Sequence, residues 1–441
     1  MFRTLRSFPA TITAQMTLLH ASVDALCACT VFMLVPRLEH TLAMVLFILY
    51  NALAFVTQPF VGLWLDRRTS HPFQLFTATG LLIAGGILAC GLQAFPAAEG
   101  AVLPIVSLLA VTLVGFGNSL FHVFGGIAVT QATHNDMRHL GIFVSSGALG
   151  LLLGGSCAGV ITLVLLMVAM AGLSIHHYLT TQGGRELPAP AALPSAACNP
   201  NGASWLVAFI VLIVACRSFI GRIVPADDGS IPLYGVWLTT LAFCGKSAGG
   251  FLGRKWGVWP MLTVTLLLTG IFFLMGYYHT AWILAMTLTI NLTMPLTLHL
   301  ANRSLPHRPG FAFGLLASVL APGVGLAMLC MDTGVSRLLY PLVATLLIEA
   351  LVLLALGERR WQLHATAVVL NMVTNLALNA LVLYGLSDYP SLPVILMLEG
   401  AVILIEALGY RLVLHRWSQA LRYSLVCNAS SYLLGLAFTI L

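Results

Sequence analysis

The chain has 441 residues, 59% of them hydrophobic and 8% charged, with a formal charge of +6. Soluble domains carry about 25% charged residues, so a mean hydropathy of +0.97 excludes a soluble protein and indicates an integral membrane one. The basic excess is no nucleic-acid signature, because Lys and Arg sit in short loops between apolar runs, where they set membrane topology.

A bilayer core of about 30 Å needs roughly 20 apolar residues per helix. Apolar runs between polar breaks predict fifteen transmembrane helices: 11–35, 41–64, 73–95, 102–131, 139–157, 159–179, 204–224, 231–252, 258–278, 281–301, 310–331, 338–356, 362–387, 392–414 and 418–440. Long runs punctuated by Gly and Pro favour helices over the alternating segments of a barrel. The first run follows Arg3 and Arg6 and has no clear small-residue cleavage site, so it reads as a helix and not as a signal peptide. Gly154, Gly155, Ser156 and Gly159 alone divide the fifth run from the sixth. With the N-terminus inside, the loops holding Arg67, Arg138, Arg185, Arg254, Arg303, Arg308, Arg359, Arg411 and Arg416 are cytoplasmic, and the C-terminus lies on the opposite side. Nine cysteines without CxxC spacing read as small buried hydrophobes.

The Pro-, Gly- and Ala-rich stretch after the sixth run reads as a cytoplasmic linker, residues 180–203, between an N-terminal half (1–179) and a C-terminal half (204–357). A weak internal echo supports the division: Gly62 to Arg67 closes the second run and Gly249 to Arg254 closes the eighth. Residues 358–441 add three further helices.

Charged side chains at membrane depth cost roughly 2.5–3.5 kcal/mol by insertion scales and mark solute or proton pathways. His20 and Asp24 share one face of the first helix. Asn118 and His122 lie on the fourth, Arg217 on the seventh, and Asn291 and His299 on the tenth. Arg217 cannot neutralise itself and must pair with Asp24 or bind an anionic group such as a carboxylate or phosphonate. Asp24 and His20 suit proton coupling, and His20, Asp24 and His122 could together ligate a transition metal. Lys246 reads equally as a snorkelling anchor or a functional charge. His71, His134, His139, His176, His177 and His307 read as solvated surface. In the last three helices, Asn371, Asn375 and Asn379 form one stripe and Glu399 and Glu406 another, expected to meet each other or Glu349 as interhelical glue or as a second cation or proton site.

Several pieces carry a family resemblance: His20-x-x-x-Asp24, Gly62-x-x-x-Asp66-Arg67, Phe121-His122-x-x-Gly125, Arg217-Ser218-Phe219, and Gly245-Lys246-x-x-Gly249-Gly250. Over roughly residues 10–357 the chain resembles the major facilitator superfamily, and within it the fosmidomycin-resistance-like branch. It departs from the family at Arg68-Thr69-Ser70-His71, at Gly253 where the second copy of the turn has an acid, and at Val123 in place of a proline. The resemblance implies an all-α membrane protein of two six-helix halves plus three additional C-terminal helices. It implies that the first, fourth, seventh and tenth helices line a cavity, and that Gly62, Asp66, Arg67 and Arg254 belong to gating turns. It also implies a secondary transporter of the cytoplasmic membrane, moving a small polar or anionic solute by proton-coupled efflux. A metal-ion carrier and a non-transporting scaffold or sensor are the alternatives. Expected partners are substrate, protons and lipid; no cofactor, resident metal, nucleic acid or enzymatic chemistry is expected, since no Walker loop, nucleophile elbow or zinc motif is present.

Overall fold

A computed structural model describes residues 2–67, 72–94, 102–182, 200–223, 231–276, 279–321, 336–381 and 392–440. These residues are helical almost throughout. In chain order the helices are α1 (Phe2–Leu34), α2 (His40–Asn51), α3 (Gln58–Leu65), α4 (Pro72–Ala94), α5 (Val102–Ala132), α6 (Met137–Ser156), α7 (Val160–Gln182) and α8 (Pro200–Ile223). They continue as α9 (Tyr234–Trp256), α10 (Val258–Gly276), α11 (Thr280–Ser304), α12 (Pro309–Ser318), α13 (Ser336–Ala355), α14 (Trp361–Ala380), α15 (Leu392–Leu414) and α16 (Trp417–Ile440). A π-helical turn, Ala52–Val56, joins α2 to α3 in one span, His40–Leu65. Nine helical segments among the described residues are long and apolar enough to cross a bilayer. The division between α6 and α7 falls at Cys157 to Gly159, where the chain leaves the helix for three residues. Most of the expected linker, residues 183–199, lies outside the described residues, as do Arg68, His71 and Arg185.

The chain packs as two compact units, residues 1–266 with 284–326 and residues 267–283 with 327–441. The first unit therefore contains helices from both expected halves. Its tightest seams are helix pairs that approach through glycine. Gly150 and Gly154 of α6 sit against the carbonyls of Ala21 and Ala25 in α1, leaving no room for a Cβ. Small residues at such spacing let backbones come together where lipid supplies no hydrophobic drive. The same device appears twice more. Gly62 of α3 lies on the backbone of Gly310 in α12, and Gly250 of α9 lies on the backbone of Met137 in α6.

In the second unit α13, α14, α15 and α16 surround a core of Leu353, Leu363, Tyr410, Leu414, Ala420 and Cys427. Glu349 and Glu406 are buried within it, 1% and 0% exposed. Among the described residues the cysteines are free thiols, and Cys157 and Cys244 are exposed, which corrects the expectation of uniformly buried cysteines.

Candidate functional site

The polar centre of the first unit is Asp24. His20, one turn earlier on α1, places Nε2 at 3.3 Å from Asp24 Oδ2. His122 of α5 places Nε2 at 3.4 Å from Asp24 Oδ1. Asn118, one turn before His122, donates from Nδ2 to Asp24 Oδ1 at 3.3 Å and lies 3.5 Å from Cys27 Sγ. The two imidazoles meet edge to face with centroids 4.5 Å apart, and the Phe121 and Phe143 rings flank His20. All four polar side chains are at most 8% exposed.

The other ring nitrogens determine the chemistry. His20 Nδ1 lies 2.8 Å from the Phe143 carbonyl oxygen, and His122 Nδ1 lies 2.9 Å from the Asn118 carbonyl oxygen. A carbonyl only accepts, so each Nδ1 carries the hydrogen. In a neutral imidazole each Nε2 then turns a lone pair toward a carboxylate oxygen, which repels. Attraction requires a proton in each Nε2 to oxygen gap, or one cation shared by all three groups. The cluster is thus built to receive positive charge.

Gly147 of α6 completes this cluster and went unnoticed in the sequence. A Cβ there would collide with Asp24 Oδ2 and stand 2.6 Å from His20 Nε2. The signal that could have found it is the spacing Gly147, Gly150, Gly154 on one face of α6.

Arg217 of α8 is 8% exposed, and among the described residues its Nη1 has no hydrogen-bond partner. The expected pairing with Asp24 is not formed: Asp24 is taken by the two histidines and Asn118. Lys246, in the middle of α9, lies within electrostatic reach of both Arg217 and Asp24, so it is a site-facing cation and no end-of-helix anchor. Hydropathy could not locate it, because the apolar run continues on both sides of it. Asn291 returns its amide to Thr287 of its own helix and packs by Gly245; it makes no hydrogen bond to the cluster. His299 bonds the α5–α6 turn, with Nδ1 donating to the Asn135 carbonyl at 2.7 Å.

That turn belongs to a second constellation at the arginine-rich end. Asn135, at φ 61°, donates from Nδ2 to the His299 carbonyl at 3.1 Å and accepts from Asn302 Nδ2 at 3.0 Å. On the other side of the same end, Asp66 accepts from the Gly310 and Phe311 amides at 2.7 and 2.8 Å. This caps the α12 N-terminus, whose first amides lack helical partners. Burial raises the Asp66 carboxyl above the usual range, against the pull of those amides and of Arg308. Arg67 and Arg254 are exposed, and among the described residues neither makes an ion pair. In the second copy of the turn, Gly253 stands where the first has Asp66, and the facing α6 N-terminus is capped by its own Asp136, whose Oδ1 accepts from Arg138 N at 2.9 Å. The acid is therefore supplied by the helix that needs it.

His177 corrects the surface reading: it is 2% exposed and its Nδ1 meets Gln15 Oε1 at 2.8 Å, between α7 and α1. Next to it, His176 turns outward, since neighbours in a helix differ by about 100°.

The helices and their buried ionisable site define a multi-span, all-helical membrane protein. No family model and no curated protein matches the chain in sequence. Among solved structures it is similar to a variant of the E. coli fucose:proton symporter FucP, with 13% identity, a TM-score of 0.56, and coverage of 75% of this chain and 92% of that one. It is also similar to FucP, described as a major facilitator superfamily transporter in the outward conformation, with 12% identity, a TM-score of 0.54, and coverage of 73% and 92%. A bacterial homologue of the iron transporter ferroportin, in an outward-facing state, aligns at 17% identity and a TM-score of 0.45 over 74% of this chain and 92% of that one. The chain has the major facilitator fold.

Proposed function

We propose that the protein is a secondary transporter of the cytoplasmic membrane that moves a small anionic organic solute by alternating access, coupled to protons. In this reading residues 1–179 and 204–357 are the two halves, 180–203 links them, and 358–441 form a three-helix membrane extension. The observation that supports proton coupling is the locked tautomer of both histidines, which leaves the Asp24 cluster in need of positive charge. Protons in the two Nε2 to oxygen gaps satisfy it; their loss to the other side leaves repulsion and favours rearrangement. Arg217, whose Nη1 has no hydrogen-bond partner among the described residues, supplies with Lys246 nearby what an anionic solute needs. Asp66, Asn135 and the Gly62–Gly310 and Gly250–Met137 seams then act as the latch of the cytoplasmic end, released when access changes sides. Efflux against proton entry is the direction the family resemblance implies. No catalytic step is part of this reading.

A proteoliposome assay with an imposed pH gradient and a panel of organic anions tests it. Flux should depend on the gradient, be abolished by Asp24→Asn, and weaken about tenfold or more in Arg217→Ala, since a guanidinium contact to a carboxylate is worth about 1.5–3 kcal/mol. Absence of flux across the panel would favour a scaffold. One observation favours a second reading as a metal-ion carrier: ligand atoms of His20, Asp24 and His122 lie within 4.8 Å of one another, with each Nδ1 on a backbone carbonyl as in metal-bound imidazoles. Metal-stimulated flux lost in His20→Ala would establish that reading.

A further inference from the structure

We propose that the second unit holds a binding site of its own, for a small organic ammonium cation. A cavity of about 250 Å³ opens among α13, α14, α15 and α16 and is lined by Asn371, Asn379, Glu399, Val402, Asn428 and Tyr432, among others. Its polarity follows from what stands behind it. Glu349 and Glu406 are buried carboxyl groups, and the amides that meet them present nitrogen. Asn371 Nδ2 donates to Glu349 Oε2 at 2.6 Å, and Asn428 Nδ2 donates to Glu406 Oε2 at 2.6 Å. Asn379 Nδ2 is likewise used, on the Asn375 side-chain oxygen at 2.9 Å. With their nitrogens committed, Asn371, Asn379 and Asn428 have their amide oxygens left to offer.

Glu399 adds a carboxyl group to that lining, and among the described residues no Lys, Arg or His takes part in it. Behind the lining, Glu349 Oε1 is buried without a hydrogen-bond partner among the described residues. A buried acceptor left unmade carries an energetic penalty that positive charge nearby relieves. The acceptor-rich lining therefore selects a cation. Size and surface select its type: a bare metal ion needs oxygens converging at about 2.0–2.6 Å, whereas this space is far larger. Val402 and the ring of Tyr432 suit alkyl groups, and aromatic faces attract quaternary ammonium.

The test uses the full chain in nanodiscs and radiolabelled choline as the probe. Saturable binding is expected, displaced by tetramethylammonium and not by an equal concentration of sodium. Glu399→Gln should weaken it about tenfold or more and Glu399→Lys should abolish it, as expected for loss and reversal of a charge at a partly buried contact. Both variants should keep the wild-type melting temperature, because Glu399 is partly exposed and snorkelling accommodates Lys. Asp24→Asn should leave choline binding unchanged. Absence of saturable binding, equal displacement by sodium, indifference to both Glu399 substitutions in folded protein, or loss in Asp24→Asn would each overturn the proposal.

Discussion

Gly147→Ala perturbs the Asp24 cluster without altering a titratable group, and its effect can be worked out from the packing. The added methyl would stand 2.6 Å from His20 Nε2 and collide with Asp24 Oδ2. Ordinary carbon contacts lie at about 3.5–4.0 Å, so about 1 Å must be found. Helix α6 cannot retreat to provide it, because Gly150 and Gly154 hold its backbone against Ala21 and Ala25. The side chains must yield instead, and turning His20 breaks its 2.8 Å bond to the Phe143 carbonyl. Overpacking of this kind costs about 1–3 kcal/mol. With the tautomer released and the Nε2 to carboxylate geometry lost, proton-coupled flux in proteoliposomes should fall about tenfold or more, a loss of about 1.4 kcal/mol in transition-state terms. The melting temperature should drop by only a few degrees, as expected for a destabilisation of this size in a large chain. Flux and pH profile within about twofold of wild type, in protein bearing the alanine, would refute the assignment of Asp24 and His20 as the coupling site.

The Asp66 latch and the α13–α14 junction offer two further tests. Because burial raises the Asp66 carboxyl, the closed end binds a proton more readily than an exposed aspartate, so closure should strengthen as pH falls toward the carboxylate range and weaken as pH rises through it. Thiol labelling of a Leu305→Cys reporter should show that dependence in wild type and lose it in Asp66→Asn, while Asp66→Ala, by removing a helix cap worth about 0.5–2 kcal/mol, should increase labelling at every pH. Glu358 is held at about 2 by its hydrogen bonds to Arg360. A depressed carboxyl stabilises above its ordinary range and the contribution is lost as pH falls through about 2, so Glu358→Gln should lower the melting temperature at neutral pH and make no difference in strong acid. The cost should be about 1 kcal/mol, because Arg360 is half exposed.

Much of this was legible in the amino-acid sequence because the bilayer imposes simple rules. Apolar run length predicts helices, so the boundaries of α4 and α5 follow from hydropathy alone, whereas α1 begins nine residues before its expected start. The expense of an ionisable group in lipid singled out His20, Asp24, His122 and Arg217 before any contact was known. Helical periodicity also placed Asn371 on the face that meets Glu349.

Tertiary structure decided the partners. The residues themselves suggested that Asp24 could join His20 and His122, but nothing along the chain says that Arg217 makes no ion pair with Asp24, that Lys246 faces the site, or that His177 is interior while His176 is not. Those outcomes depend on the rotation of each helix about its own axis, which neighbouring helices set through contacts far apart in sequence. Spacing within α1 did put His20 and Asp24 on one face, as local geometry must. The tautomers of His20 and His122 were beyond it, since they depend on carbonyls that folding alone brings within hydrogen-bond reach.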